Sequence, residues 1–180
     1  MGTSLPQGTS TGFALGLACL AIAVFVWSAS LAGWLPDPQV VAMVSIFTGG
    51  LGLLVTGLVA LRENAIPGGA FYVAFSTFWF ATGFSSWFMT SGMKDAGADM
   101  AWVFAAWTVF LGINTVMTTR MKAPLLTLAS ALLALQFLLV WVSAAFNTGD
   151  IVLKAAGISG MLTSLIAAFL FYQIMWREAA

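Results

Sequence analysis

Ionisable residues stand in this chain only in clusters, and the stretches between the clusters are each about the 20 residues a helix needs to cross a bilayer. The clusters are Asp37, then Arg62 with Glu63, then Lys94, Asp95 and Asp99, then Arg120 with Lys122, then Asp150 with Lys154, and last Arg177 with Glu178. A charge at the centre of a membrane helix costs about 2.5–3.5 kcal/mol even on the mildest insertion scale. The spacing therefore predicts an all-α membrane protein of six transmembrane helices, over 12–34, 39–61, 69–92, 100–119, 124–147 and 154–176. Prolines agree, because Pro36, Pro38, Pro67 and Pro124 fall at span borders and none interrupts a span. Residues 1–10 read as a short polar leader ahead of a single membrane domain, 11–180.

Orientation follows from the loops. Arg62, Arg120, Lys122 and Arg177 share one side, whereas Lys94 and Lys154 stand on the other among Asp37, Asp95, Asp99 and Asp150. The basic excess predicts that both termini are cytoplasmic, in the cytoplasmic (inner) membrane. Trp34, Trp87, Trp102 and Trp141 then fall near the outer interface, while Trp27, Trp79 and Trp107 lie too deep for an aromatic belt and must pack or line a path.

Several classes of function are excluded. The formal charge is zero and only 7% of residues are charged, which leaves no basic surface for nucleic acid. There is no histidine and one cysteine, Cys19, so neither a metal centre, a cofactor nor an internal disulfide is expected. No paired carboxylates lie within a span, and no nucleophile elbow or phosphate-binding loop is present. An enzyme is not expected. What remains is permeation of something small, using hydroxyls, amides and rings in place of charges.

The third span is the richest in such groups. At helical spacing Phe75, Trp79, Thr82 and Ser86 share one stripe of rings and small polar groups. Such a face suits a narrow apolar path with a few hydrogen-bonding stations; rings packing on neighbours and hydroxyls bonding back to their own helix are the competing account. Asn114 and Gln136 are costly in hydrocarbon unless they face a partner or water. Gly49, Gly50 and Gly57 in span two, and Gly157 and Gly160 in span six, are small-residue positions for close helix packing.

From Val40 to Trp79 the chain resembles the acetate uptake transporters, the family of the bacterial succinate-acetate permease and its fungal ammonia-export and acetate-permease homologues. Phe47-Thr48-Gly49-Gly50 stands where that family has Phe-Tyr-Gly-Gly, and Phe75-Ser76-Thr77-Phe78-Trp79 where it has Tyr-Gly-Ser/Ala-Phe-Trp. Gly57, Arg62, Trp107 with Phe110, and Gly157 with Gly160 and Ala167 are also similar. The family's Asn-Pro-Ala-Pro-Leu-Gly-Leu entrance becomes Thr11-Gly12-Phe13-Ala14-Leu15-Gly16-Leu17, keeping only its last three residues, so this is a divergent member.

The resemblance implies a homo-hexamer in the lipid bilayer with a path through each protomer. It implies a hydrophobic constriction at Leu20, Phe75 and Leu132, and places Leu15, Gly16 and Ala167 along the path. Leu20, Phe75 and Leu132 each follow Gly12, Pro67 and Pro124 by eight residues, which sets all three about 12 Å above the inner helix ends. The expected function is a channel-like transporter for small monocarboxylates, acetate and also succinate, moving with or without protons. Thr11, Ser76, Thr77, Thr82, Asn114 and the Trp79 ring would offset dehydration along the path. A urea or short-amide channel is the alternative, since Ile113-Asn114-Thr115-Val116 and the span-two glycines also resemble that family, and ammonia or ammonium transport is a further one.

Overall fold

The computed structural model describes residues 10–88 and 97–179. All but one residue of the expected leader, and Lys94 and Asp95, lie outside the described residues. Six helices run α1 (Thr11–Leu31), α2 (Pro38–Arg62), α3 (Ile66–Phe88), α4 (Gly97–Arg120), α5 (Pro124–Phe146) and α6 (Asp150–Ala179), counted among the described residues.

Their ends follow from local chemistry. Ser10 caps α1 by accepting from the Phe13 amide at 2.9 Å, and Glu63 Oε2 accepts from the Gly12 amide at 3.0 Å, so two orphan donors of that helix are satisfied. Asp37 caps α2 in the same way through the Gln39 amide at 2.8 Å, followed by Pro38 in the first turn. Helix α5 ends on Asn147 in the left-handed region, with Gly149 following at φ +82°. The first span stops sooner than expected, at Leu31, because Gly33 turns the chain at φ +79° ahead of Pro36.

Among the described residues, five of the helices are long and apolar enough to cross a membrane. Helix α3 has the length, 23 residues, but its glycines, hydroxyls, Tyr72, Trp79 and Trp87 lower its hydropathy. The surface is apolar and much of the interior is not. Trp102 is 74% exposed and Ile113 65%, whereas Ser28 and Gln136 are completely buried. Water would disfavour an apolar exterior of this extent, while lipid tails accept it; of the inward polar groups, Gln136 donates through Nε2 to Ser28 Oγ at 2.9 Å, although its Oε1 has no partner among the described residues. The chain is a multi-pass membrane protein.

Helix α2 changes winding partway, from an α-helical start to a π-helical segment, Ser45–Gly52, before resuming α geometry at Leu53–Arg62. The wide segment carries Gly49, Gly50 and Gly52; the first two leave room for rings from α3, Trp79 on Gly49 and Phe80 on Gly50, and Gly52 for Cys19 of α1. Further along, Gly57 lets α2 approach the α3 backbone, where an added Cβ would stand 2.9 Å from the Val73 nitrogen.

Helix α1 packs along α6 and against α2, while α4, α5 and α6 pack in sequence as neighbours. Between α3 and α4 the contact is made by rings: Phe71 with Phe110 at 6.0 Å, Phe75 with Trp107 at 5.5 Å and Phe78 with Phe104 at 6.4 Å. The α1–α6 crossing depends on Gly157, where an added Cβ would lie 2.6 Å from the Ser28 carbonyl oxygen and 2.8 Å from the Ala32 nitrogen. Gly157→Leu is therefore expected to push the two backbones apart. The substitution should cost about 1–3 kcal/mol or more, and a fluorescence-detected thermal melt of the purified protein in detergent should show a lower midpoint than wild type.

Candidate functional site

One end of the bundle gathers the start of α1, α3 and α5 and the end of α4, so the side chains one to three turns in from these termini face one another. They line a cavity of about 40 Å³. Helix α1 supplies Phe13, Leu17 and Leu20, and α3 supplies Pro67, Gly68, Phe71 and Tyr72. From α4 come Asn114, Met117, Thr118 and Met121, from α5 Leu126, Ala129, Ser130 and Leu133, and from α6 Thr163 and Ala167. A water needs roughly 10–15 Å³ in this measure. The space thus suits a solute of a few heavy atoms.

The wall is apolar apart from five polar side chains, and none of the five carries a formal charge. Tyr72, 1% exposed, donates its hydroxyl to the Phe13 carbonyl at 3.1 Å and lies over Gly16, where any larger residue would collide with the ring. Asn114 Nδ2 donates to Ser130 Oγ at 2.8 Å across the α4–α5 gap. Thr118 donates to the Thr115 carbonyl at 2.9 Å, and Thr163 to the Ser159 carbonyl at 3.1 Å, so both hydroxyl protons are spent on backbone.

Farther into the bundle the space is filled by rings. Phe78 meets Phe137 at 4.8 Å and Trp27 at 5.5 Å, while Phe75 stacks on Phe78 at 5.4 Å and on Phe71 at 5.3 Å. Trp27 reaches Phe137 at 5.2 Å and Trp79 at 5.8 Å. Phe75, Trp79 and Phe137 are completely buried. The cluster lies beyond the cavity and is made of side chains from α1, α3, α4 and α5, whose rotamers, unlike backbone, can change without breaking a helix.

The residues expected along a path divide into two groups. Leu20, Asn114 and Ala167 line the cavity, and Phe75 and Trp79 belong to the ring cluster beyond it. Leu132 is half-buried and its carbonyl accepts from Ser159 at 2.8 Å; the cavity wall is formed by its neighbour Leu133. Thr11, Leu15 and Thr77 stand exposed on the flank of the bundle, and Thr82 is half-buried. Ser76 and Thr77 donate to the Val73 and Ala74 carbonyls, each at 2.7 Å, as the packing account of the α3 hydroxyls expects.

Tyr72, Ser130 and Leu133 are cavity residues that the pattern of the sequence did not single out. Tyr72 alone carried a usable signal, since a buried phenol requires a partner for its hydroxyl.

Residues 6–180 match the GPR1/FUN34/yaaH family. The chain is 31% identical over 171 residues to the Saccharomyces cerevisiae protein called ammonia transport outward protein 2, covering 88% of this chain and 58% of that protein. It therefore spans little more than half the length of the curated relative it matches. Its fold is that of the bacterial acetate channel SatP, with a TM-score of 0.87 and 94% of each chain covered at 18% identity. A six-helix bundle with a ring-stoppered cavity and a family match that runs over nearly its whole length make this chain a member of the GPR1/FUN34/yaaH family.

Proposed function

We propose that the protein is a channel-like transporter for small monocarboxylates of the size of acetate. The observation that carries this is the cavity itself: about 40 Å³, uncharged, opening at one end of the bundle and stoppered by rings at the other. Its neck is Leu20 and Phe75 with the Leu132–Leu133 step of α5, an apolar collar that holds back water until side chains rotate. Solved SatP is described as an acetate channel, which supports the solute class.

Both termini face the cytoplasm in this arrangement, since Arg62, Arg120, Lys122 and Arg177 gather on the side where the cavity opens. The protein resides in the inner membrane and assembles as a homo-hexamer, on the strength of the family resemblance, and protons accompany the solute. Outward ammonia transport, named for the yeast relative, is the competing function. Ring faces attract cations, which favours ammonium, but the cavity ahead of the rings offers no carboxylate to receive one.

Purified protein in liposomes should accelerate acetate entry over protein-free liposomes, with urea and methylammonium carried at least about tenfold more slowly, a margin of roughly 1.4 kcal/mol in barrier. Stopped-flow scattering and an entrapped pH dye would read all three; methylammonium faster than acetate would replace this function by the other. Phe75→Ala, which removes the ring that touches Phe71, Phe78, Trp107 and Phe137, should raise acetate flux several-fold and admit butyrate. Its stability should fall by about 3–5 kcal/mol, so flux is normalised to folded protein by size-exclusion chromatography. Unchanged acetate and butyrate flux would remove Phe75 from the neck.

A further inference from the structure

The mouth of the cavity has one wall that is fixed and one that can give. Phe13 of α1 and Pro67 of α3 line it from the first turns of their helices, and Met121 lines it from just past the end of α4. Helices α1 and α4 do not pack along one another, so Phe13 and Met121 reach the opening from different sides.

The contacts around Phe13 hold its ring in place. The ring lies against Gly68, where any added Cβ would run into it, and meets the Tyr72 ring at 5.7 Å between centroids. Tyr72 is itself wedged over Gly16, and its hydroxyl donates to the Phe13 carbonyl at 3.1 Å. A change of rotamer at Phe13 would give up the Gly68 and Tyr72 contacts together.

The turn that carries Phe13 is tied down as well. Ser10 Oγ accepts from the Phe13 amide at 2.9 Å, and Glu63 Oε2, from the α2–α3 turn, accepts from the Gly12 amide at 3.0 Å. Gly12 sets this turn on the backbone of α2, since an added Cβ would stand 2.8 Å from the Thr56 carbonyl oxygen. At positions 12 and 13 the entrance pattern of the resembling family has proline, which offers Glu63 no N–H, and alanine, which has no ring. The tie and the ring are thus both features of this chain's own entrance.

Met117 and Met121 are the opposite case. An unbranched thioether side chain turns about three bonds and adapts to what it meets, so the α4 wall yields where Phe13 stands. We infer that Phe13 determines the width of the solute admitted, as a fixed jamb at the mouth that turns branched acids away, and that Glu63 is the positioning residue that holds it there. This rests on the transport function proposed above and adds a selection step separate from Phe75, which stands in the ring cluster beyond the cavity.

Butyrate and isobutyrate separate width from the rest, because they are isomers of equal charge and mass that differ in branching. The reading is competition with acetate in proteoliposomes, the competitor being equal on both sides and the protein-free rate subtracted. Butyrate enters the wild-type cavity, stops at the ring cluster and slows acetate; isobutyrate at the same concentration should leave acetate flux unchanged. In Phe13→Ala both isomers should slow it, the half-inhibiting isobutyrate concentration falling at least about tenfold, the scale on which an apolar site discriminates by a methyl group. Glu63→Ala should move in the same direction, and Glu63→Gln, which keeps an oxygen to accept from the Gly12 amide, should keep the wild-type discrimination. A merely structural Glu63 would alter the yield of folded protein and not the difference between isomers.

Wild-type acetate flux slowed equally by the two isomers would overturn the jamb and leave the transport function standing, and this comparison needs no variant. Isobutyrate as ineffective on Phe13→Ala as on wild type would also overturn it, with Phe13→Leu carrying the same comparison if the alanine variant does not fold. Wild-type discrimination retained in Glu63→Ala would remove Glu63 as the positioning residue. No acetate flux above protein-free liposomes in wild type would remove the transport function itself.

Discussion

Hydrocarbon offers no hydrogen bonds, and the architecture is arranged around that refusal. Hydroxyls on the helix flanks solve the problem locally: Thr77 donates to the Ala74 carbonyl at 2.7 Å, Thr108 to Phe104 at 2.8 Å and Thr119 to Thr115 at 2.8 Å. Interior polar groups solve it by tying helices together. Ser164 donates from α6 to the Ala21 carbonyl of α1 at 2.6 Å, Gln136 from α5 to Ser28 of α1 at 2.9 Å, and Ser159 from α6 to the Leu132 carbonyl of α5 at 2.8 Å. Each tie is worth about 0.6 kcal/mol on average inside a membrane protein. The ties gather on α1, α5 and α6, which makes that side of the bundle directional, whereas the α3–α4 seam is held by stacked and edge-on rings.

Small residues set where the rings go. Gly160 makes room for the Gln136 amide beside Ser28, and Gly49 for the Trp79 indole. The π-helical stretch of α2 widens the helix where these glycines already weaken it, so sequence and winding act together to seat Trp79 and Phe80. The seat is imperfect in one respect, because Trp79 Nε1 is sealed from solvent without a partner among the described residues. An unmet donor of that kind costs about 1–3 kcal/mol, which the ring contacts of Trp79 with Trp27, Phe75 and Phe78 offset.

The six helices were legible because charge is expensive in lipid and stands at the rims, so the twelve ionisable residues mark every boundary between one helix and the next. Asn114 was visible for the same reason, as an amide whose cost needs a partner. Leu20, Phe75 and Ala167 came only through the family resemblance, and most of the remaining cavity wall was not legible. A membrane helix is apolar on all sides, and the periodicity that separates a buried face from an exposed one in a water-soluble helix is missing. Leu132 and Leu133 differ by about 100° around α5, and nothing in a run of leucines says which one meets the cavity. Thr11, Leu15 and Thr77 were drawn in by residue type or family pattern, but their exposure depends on helix rotation, which is fixed by packing at Gly57 and Gly157. The π-helical segment has no proline to announce it, and its glycines were legible only as a close contact.

Magnitudes decide what such a cavity can hold. Moving a carboxylate from water into surroundings this apolar, without a cation, costs tens of kcal/mol on a Born estimate, and even after relaxation several. Two neutral hydrogen bonds return about 1–3 kcal/mol in all, far too little for the ion. Neutralising the same acid near pH 7 costs only about 1.4 kcal/mol per pH unit above its pKa, roughly 3–4 kcal/mol for an ordinary carboxyl. Protonation is thus the cheaper route through an uncharged wall.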